Sequence, residues 1–300
     1  MKPLREWLEG RPGVVVHGLA SRTGRNQLAA LRAQGTRVVA GVSGRQAGTE
    51  LDGIPLFAST GDACRATGAT VALLFVPAEH VRPAALEALE AGVELLVIPA
   101  EGVPVMDALV VAEAAGDTLV VGPNSPGLIV PGLIKLGFMP SGRLRPGPVG
   151  LVSRSGTLSY EVSLHLAERG IGISTWIGVG GDVAPFLPMR EAAELVAADP
   201  QTELLVIVGE VGGTGEESVA QSIVDGQLTV PVHAMIVGGR VVGDEPVGHA
   251  GAVMLGGAGG YEGKVARLRA AGATVHSTPW ELADDIAARL AATPTTIGEQ

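Results

Sequence analysis

Short apolar runs of strand length alternate along the chain with longer stretches in which apolar residues recur at a helical period. The N-terminal part predicts a first strand over residues 14–16, a helix over about 25–34 and a second strand over 37–42. Because the strands are continuously apolar and alternate with helices, they predict a parallel α/β sheet buried on both faces. The further strands and helices of this part are predicted at 71–76, 82–91, 95–98, 106–115 and 119–121.

The alternation breaks between residues 124 and 148, a stretch rich in Pro and Gly without a long helical pattern. We interpret this stretch as a linker between a first domain over 1–123 and a second domain over 149–300. The second domain repeats the strand–helix alternation and predicts another α/β sheet. Its elements are predicted at 149–153, 158–169, 173–179, 190–198, 204–208, 216–225, 230–236, 261–271 and 280–290.

Composition and charge narrow the function classes. The 300 residues carry a formal net charge of −10, which argues against nucleic acid or an anionic membrane as partner. Cys64 is the only cysteine, so an intrachain disulfide is excluded and a reducing compartment, the cytoplasm, is favoured. The N-terminus lacks the apolar core of a signal peptide, and no uncharged apolar run reaches the roughly 18 residues that a membrane span needs.

The first strand leads into a turn over residues 17–24 whose backbone N–H groups precede a helix, an arrangement that binds phosphate. The turn is not G-x-G-x-x-G, because Ala20 and Ser21 stand where glycines would help. After the second strand, where a dinucleotide site has a ribose-binding acid, the chain has Arg45. This favours a ligand with an extra phosphate, such as NADP or coenzyme A, over NAD. The alternative is a bare structural turn.

A second turn of this kind, over residues 153–160, leads from a strand through small hydroxylic residues into a helix. Free N–H groups at such a helix start stabilise anions. Ser155 is disfavoured as a hydrolase nucleophile, because the glycine spacing is not G-x-S-x-G. The structural alternative is N-capping by Ser155 or Thr157.

Two further residues carry candidate chemistry. His249 stands in a glycine-rich loop, where it is available as a nucleophile, an acid/base or a ligand. Glu210 follows the strand predicted at 204–208, at the edge where open α/β sheets place their sites. A carboxylate there is suited to orient a histidine ring. The plain alternatives are a surface histidine and a solvated acid.

Taken together, the motifs resemble those of the α subunit of succinyl-CoA synthetase, over about residues 14–290. Their order and spacing match that family, and the combination is more specific than any single motif. The matching segments are Gly122-Pro123-Asn124-x-Pro126-Gly127, Ser153-Arg154-Ser155-Gly156-Thr157-Leu158, Gly209-Glu210-Val211-Gly212-Gly213 and Gly248-His249-Ala250-Gly251-Ala252.

The resemblance implies a Rossmann-like CoA-binding domain followed by a flavodoxin-like, doubly wound ligase domain. It also implies an acyl-CoA ligase that works through acyl-phosphate and phosphohistidine intermediates, with His249 phosphorylated and Glu210 orienting it. Tyr160 would lie near the carboxylate substrate. The helix start that holds the phosphoryl charge would comprise Ser153, Ser155, Gly156 and Thr157. The expected coenzyme A contacts are Gly18, Ala20, Ser21, Arg22, Thr23, Arg45, Gln46, Pro99, Ala100 and Glu101.

The resemblance further implies a partner. In that family the nucleotide, ATP or GTP with Mg²⁺, sits on a β subunit with an ATP-grasp fold, in a heterodimer or heterotetramer. This chain has no G-x-x-x-x-G-K-[ST] loop, which agrees with a nucleotide site on a partner subunit. We single out no metal ligands in the chain itself.

Several positions depart from the family pattern. Ser21 replaces a usual glycine, Gln46 the usual lysine and Ser125 a common cysteine, while residues 183–189 replace a small polar loop with bulky apolar residues. The bulky loop leaves open whether the carboxylate is succinate or another, such as malate, and packing at a subunit interface is the alternative explanation. A non-catalytic CoA-binding regulatory module and an NADP oxidoreductase are the rival functions.

Overall fold

The computed structural model describes residues 4–140, 142–239 and 259–292. The first part of the chain forms a seven-stranded sheet with five helices. Its elements are α1 (Leu4–Glu9), β1 (Val14–His17), α2 (Arg22–Ala33), β2 (Val38–Val42), β3 (Glu50–Leu51), β4 (Ile54–Phe57), α3 (Thr60–Thr67), β5 (Val71–Leu74), α4 (Val81–Glu90), β6 (Leu95–Val97), α5 (Val105–Ala114) and β7 (Leu119–Val121).

The second part forms another seven-stranded sheet with five helices among the described residues. Its elements are β8 (Gly127–Val130), β9 (Ile134–Gly137), β10 (Pro146–Ser153), α6 (Gly156–Glu168), β11 (Ile173–Gly178), α7 (Met189–Ala197), β12 (Leu204–Glu210), α8 (Gly215–Val224), β13 (Val232–Val237), α9 (Tyr261–Ala270), β14 (Thr274–His276) and α10 (Pro279–Ala292).

The strand order of the first sheet is β3-β4-β2-β1-β5-β6-β7, and all pairs are parallel except β3 with β4. Without β3, this is the 3-2-1-4-5-6 order of dinucleotide-binding folds, which confirms the predicted Rossmann-like domain. The order reverses between β1 and β5. A ligand crevice is therefore expected outside the carboxyl ends of these two strands.

The second sheet has the order β14-β13-β12-β10-β11-β8-β9. Its five parallel strands follow the flavodoxin-like order 2-1-3-4-5, as predicted, and the switch point lies between β10 and β12. Strands β8 and β9 extend this sheet as an antiparallel hairpin beside β11.

That hairpin lies within residues 124–148, which the sequence predicts as a linker. The short, glycine-bounded strands give no periodicity long enough to be recognised, so they were missed. The hairpin also contacts the first domain, because β9 packs against α2. Buried Lys135 donates from its Nζ to Gln27 Oε1 of α2 at 2.9 Å, and burial lowers the pKa of Lys135 to about 8. The exact domain boundaries stay a prediction.

The predicted strands and helices are found within a few residues of their expected positions. The hydrophobic pattern did not predict α1, β3, β4, α3 and β14, because these elements are short or largely polar. No described helix is long and apolar enough to cross a membrane.

A buried ion pair ties α1 to the second domain. Arg5 Nε donates to both carboxylate oxygens of Asp199, at 2.8 and 2.9 Å, and Arg5 Nη2 donates to the Ser174 carbonyl at 2.6 Å. Both side chains are almost completely buried, at 6% and 3% exposure. Asp199 also accepts from Thr175 Oγ1, so its charge is well compensated only while Arg5 is present.

We expect Arg5→Ala to lower the free energy of unfolding by about 3–5 kcal/mol, because it leaves a buried carboxylate without its cation. Arg65→Ala is the matched control, since Arg65 pairs with Asp62 on the surface and should cost less than about 1 kcal/mol. Urea unfolding of both variants measures the difference. Equal losses would contradict the role given to Arg5.

Candidate functional site

The turn after β1 lies at the switch point of the first sheet. Gly18 has a φ of +81°, and a Cβ there would lie 2.3 Å from the Phe75 carbonyl oxygen, so glycine is required. Ser21 caps α2 by accepting from the Gly24 N–H at 3.1 Å. A Cβ at Gly24 would lie 2.4 Å from the Gly18 oxygen, so Gly24 permits the close helix–strand packing that the third fingerprint glycine normally provides.

The predicted cations near this turn are exposed. Arg22 and Thr23 lie in the first turn of α2, whereas Arg45 and Gln46 lie in the turn after β2. The two turns begin on adjacent strands, because β1 pairs with β2 and the Gly18 N–H donates to the Val42 carbonyl at 3.1 Å. Exposed guanidinium groups at this edge are free to reach an anionic ligand from solvent.

A groove of about 1010 Å³ joins the two domains. One wall is formed by loops after β5 and β6, including the predicted residues Pro99, Ala100 and Glu101. The opposite wall is formed by the start of α6, with Gly156 and Thr157. The structure thus brings together two sets of predicted site residues from different domains.

The start of α6 is built around Ser155. Its Oγ accepts from the Leu158 N–H at 3.3 Å, so the predicted N-cap is present. Ser153 Oγ donates to the Ser155 carbonyl at 2.7 Å and fixes the turn. Gly156 and Thr157 line the groove, and N–H groups in the first turn of a helix have no intrahelical partner, so this helix start is suited to an anion.

Tyr160 also lines the groove. Its hydroxyl donates to the Phe138 carbonyl at 3.1 Å, and burial raises the pKa of the phenol. The side chain therefore stays neutral at physiological pH and is held by a neighbour from the β9 side of the groove.

Glu210 ends β12 at the switch point of the second sheet and is buried. Its Oε1 lies 3.5 Å from Arg154 Nη2, and Arg154 Nη1 donates to the Gly212 carbonyl at 2.6 Å. The guanidinium also lies 3.6 Å from the Glu216 carboxylate, which pairs with the fully buried Lys264. A compact buried cluster of alternating charges therefore holds Glu210 at the strand end.

Sequence reasoning gave no role to Arg154, Glu216 or Lys264. Arg154 lies in the segment Ser153–Leu158 that resembles the family and also lines the groove. Its position next to Ser155 is the sequence signal that could have indicated a role. An acid in the first turn of a helix, as Glu216 is in α8, predicts only favourable interaction with the helix dipole. Its pairing with Lys264 on α9 arises from tertiary contact alone.

His249 lies outside the described residues, so its pairing with Glu210 stays a prediction. The described residues on either side of that segment lie at the Glu210 strand end. The Val211 N–H donates to the Val237 carbonyl at 3.1 Å, and the Gly212 N–H donates to the Gly259 carbonyl at 2.8 Å. Val237 and Gly259, which flank that segment among the described residues, are thus hydrogen-bonded to residues 211 and 212.

The bulky loop over residues 183–189 packs between the two domains. Phe186 is half-buried against the core of the first domain, and its N–H donates to the Gly122 carbonyl at 2.8 Å. Leu187 and Met189 are buried. Val183, with 51% exposure, lines a smaller cavity of about 420 Å³ together with Arg154. Most of the apolar bulk is therefore used for packing within the chain.

Comparisons with known proteins agree with a CoA-binding domain followed by a ligase domain. Residues 13–102 match the CoA binding domain family, and residues 152–274 match the CoA-ligase family. The chain is 40% identical over 278 residues to the succinate–CoA ligase [ADP-forming] subunit alpha of Aquifex aeolicus, covering 91% of each chain. It is also 40% identical over 283 residues to subunit alpha 2 of Archaeoglobus fulgidus, covering 93% of this chain and 98% of that protein.

Among solved structures, ATP citrate lyase from Methanothrix soehngenii, in complex with citrate and coenzyme A, superposes with a TM-score of 0.84 at 23% identity. The match covers 96% of this chain and 52% of that one, so the chain spans about half the length of that enzyme. At this identity the likeness concerns the fold. The 40% identity to two alpha subunits over more than 90% of the chain shows the family: the chain belongs to the succinate–CoA ligase alpha subunits.

Proposed function

We propose that the chain is the alpha subunit of an acyl-CoA ligase that makes a thioester from a carboxylate, coenzyme A and ATP or GTP. The observation that carries this proposal is the groove between the domains. It joins the loop with Pro99–Glu101, at the edge expected to hold coenzyme A, to the start of α6, which is suited to an anion. A thioester-forming enzyme needs these two ligands side by side.

Coenzyme A is proposed to bind along the carboxyl edge of the first sheet. The capped turn at Gly18–Thr23 offers N–H groups to a phosphate, and Arg22 and Arg45 offer exposed cations. Arg45 would take the part of the lysine that the family has where Gln46 stands. Arginine binds phosphate through a planar fork, so the contact differs in geometry from that of lysine.

The phosphoryl group is proposed to be carried by His249, with Glu210 accepting a hydrogen bond from the other ring nitrogen. Two features support this. Val237 and Gly259, the described residues on either side of the segment with His249, are hydrogen-bonded to residues 211 and 212, and Glu210 is buried beside Arg154. The start of α6, from Ser155 to Thr157, would stabilise the charge on the phosphohistidine.

In the synthetic direction the proposed reaction has three transfers. A neutral ring nitrogen of His249 attacks the γ-phosphorus of the nucleotide, and the diphosphate leaves. A carboxylate oxygen of the substrate then attacks the phosphorus and releases the imidazole, giving an acyl phosphate. The coenzyme A thiolate attacks the acyl carbon and expels phosphate, which leaves the thioester. The chain contributes positioning and charge stabilisation to each step.

The nucleotide and its Mg²⁺ are proposed to bind a β subunit with an ATP-grasp fold, in a heterodimer or heterotetramer. The alpha-subunit names of the relatives and the missing phosphate-binding lysine motif support a partner. A cytoplasmic location is proposed from the single cysteine, Cys64.

The carboxylate is proposed to be small, succinate or another dicarboxylate such as malate. The bulky loop gives little reason to abandon succinate, because Phe186, Leu187 and Met189 are engaged in packing. Val183 and Pro188 are the loop residues that combine exposure with the cavity containing Arg154. They are therefore the proposed points at which the loop affects the substrate.

We expect His249→Asn to abolish thioester formation and phosphorylation from radiolabelled ATP in the presence of a β partner. Wild-type protein should gain an acid-labile, base-stable label. Glu210→Gln should slow labelling by ~10- to 100-fold, by analogy with partners that orient metal-bound histidines. Circular dichroism checks that both variants fold. Activity of His249→Asn within tenfold of wild type would overturn the assignment, and an unlabelled wild type would favour a regulatory CoA-binding module.

We expect the full chain to bind coenzyme A more tightly than NADP. Arg45→Ala should weaken coenzyme A binding by about 10- to 150-fold, which corresponds to a charged hydrogen bond of roughly 1.5–3 kcal/mol. Arg65→Ala is the control, because Arg65 is an exposed arginine paired with Asp62 on α3. Isothermal titration measures both. Tighter binding of NADP would move the assignment to an oxidoreductase.

We expect Phe186→Ala to lower stability by about 1–3 kcal/mol without changing which acid is preferred, because the ring is only half-buried against the first domain. Val183→Ala should change KM for the carboxylate and leave stability nearly unchanged. Assays with succinate, malate, itaconate and a short monocarboxylate, beside urea unfolding, separate the two effects. A changed acid preference in Phe186→Ala alone would contradict this division.

A further inference from the structure

Three potential metal ligands lie close together in the second domain, away from the sheet edge that holds Glu210. His233 lies on β13, His276 ends β14 and Asp285 lies on α10. His233 pairs with Val206 of β12, four residues before Glu210, or about 13 Å along the strand. The residues are far apart in sequence, which is why the sequence pattern singled out no metal ligands.

The distances among the three ligand atoms are those of a coordination shell. His233 Nδ1 lies 3.2 Å from His276 Nε2 and 3.4 Å from Asp285 Oδ2, and His276 Nε2 lies 3.6 Å from Asp285 Oδ2. Tetrahedral zinc with bonds of about 2.0–2.2 Å separates its ligand atoms by about 3.3–3.6 Å. The two contacts to Asp285 are longer than a good N–H···O hydrogen bond of about 2.7–3.2 Å. A hydrogen bond accounts for the His233–His276 contact alone, whereas a shared ion accounts for all three distances.

The setting favours binding of a cation. The imidazole rings are parallel, with their planes 4° apart and their centroids 5.4 Å apart. His233 is buried, with 2% exposure, whereas Asp285 has 48% exposure, so the ion has access from solvent. Asp285 and Glu281 supply negative charge, and Arg289 is the nearby cation.

We propose that His233, His276 and Asp285 bind a divalent transition-metal ion, zinc in particular, with water completing the tetrahedron. Two imidazoles and one carboxylate suit zinc and its neighbours, whereas Mg²⁺ prefers oxygen ligands in an octahedral shell. The ion would join β13, the short edge strand β14 and the last helix. Its role is structural, and it goes beyond the proposed ligase function because no ligand belongs to the catalytic groove.

Titration of the metal-free full chain with Co²⁺ tests the site, because tetrahedral Co²⁺ absorbs visibly and zinc can then displace it. Wild type should bind one Co²⁺ in this form, and Mg²⁺ should not compete. Asp285→Asn and His276→Gln should each weaken binding by at least about tenfold. Both positions are preferred to His233, whose replacement in the core risks misfolding. Asp284→Asn is the matched control, because Asp284 is the adjacent acid on α10 and pairs with Arg169.

Thermal unfolding gives an independent measure. Zinc should raise the melting temperature of wild type and Asp284→Asn, because it binds the folded chain, and should not raise that of Asp285→Asn. The proposal is overturned if wild type binds no tetrahedral Co²⁺ or if Asp285→Asn and His276→Gln bind it like wild type. It is also overturned if His249→Asn alone removes the signal, since the ion would then lie elsewhere. These readouts do not depend on ligase activity.

Discussion

The groove between the two domains depends on a close approach of two chain segments. The turn over residues 122–127 packs against the end of β11 and the residues after it. A Cβ at Gly180 would lie 2.1 Å from the Pro123 carbonyl oxygen, and one at Gly178 would lie 2.3 Å from Pro126 Cγ. Only glycine permits this contact. It brings the loops of the first sheet to the start of α6, and the groove exists because of it.

Two α/β sheets then share one binding region. Each sheet presents the carboxyl ends of its strands at a switch point, where helix N-termini offer unpaired N–H groups. The first sheet contributes the loops with Pro77 and residues 99–101 to the groove, and the second contributes the start of α6. Backbone groups of this kind bind anions without side-chain charge, so a net charge of −10 is compatible with the proposed binding of phosphates.

The buried charges have different consequences in different places. Arg5 and Asp199 join α1 to the second domain far from the groove, so their pairing concerns stability and orientation. Arg154 lies in a cluster with Glu210 and Glu216, at the lining of the groove. Separating one member of such a cluster leaves another charge unpaired in a region of low dielectric constant, which costs free energy. The members are therefore held in one geometry. A rigid Glu210 is what the proposed histidine chemistry requires.

The sequence by itself determined the two parallel sheets, because continuous apolar strands and helical periods are local patterns. It also offered N-capping by Ser155 as the structural alternative, and the hydrogen bond of that cap closes within three residues. The cap at Ser21 was not predicted. It missed the β8–β9 hairpin, since four-residue strands carry too little periodicity. The packing of Phe186, the charge cluster and the convergence of His233 with His276 and Asp285 were decided by the tertiary structure. These contacts join residues distant along the chain, and only the crossing of strands and helices brings them within a few ångströms.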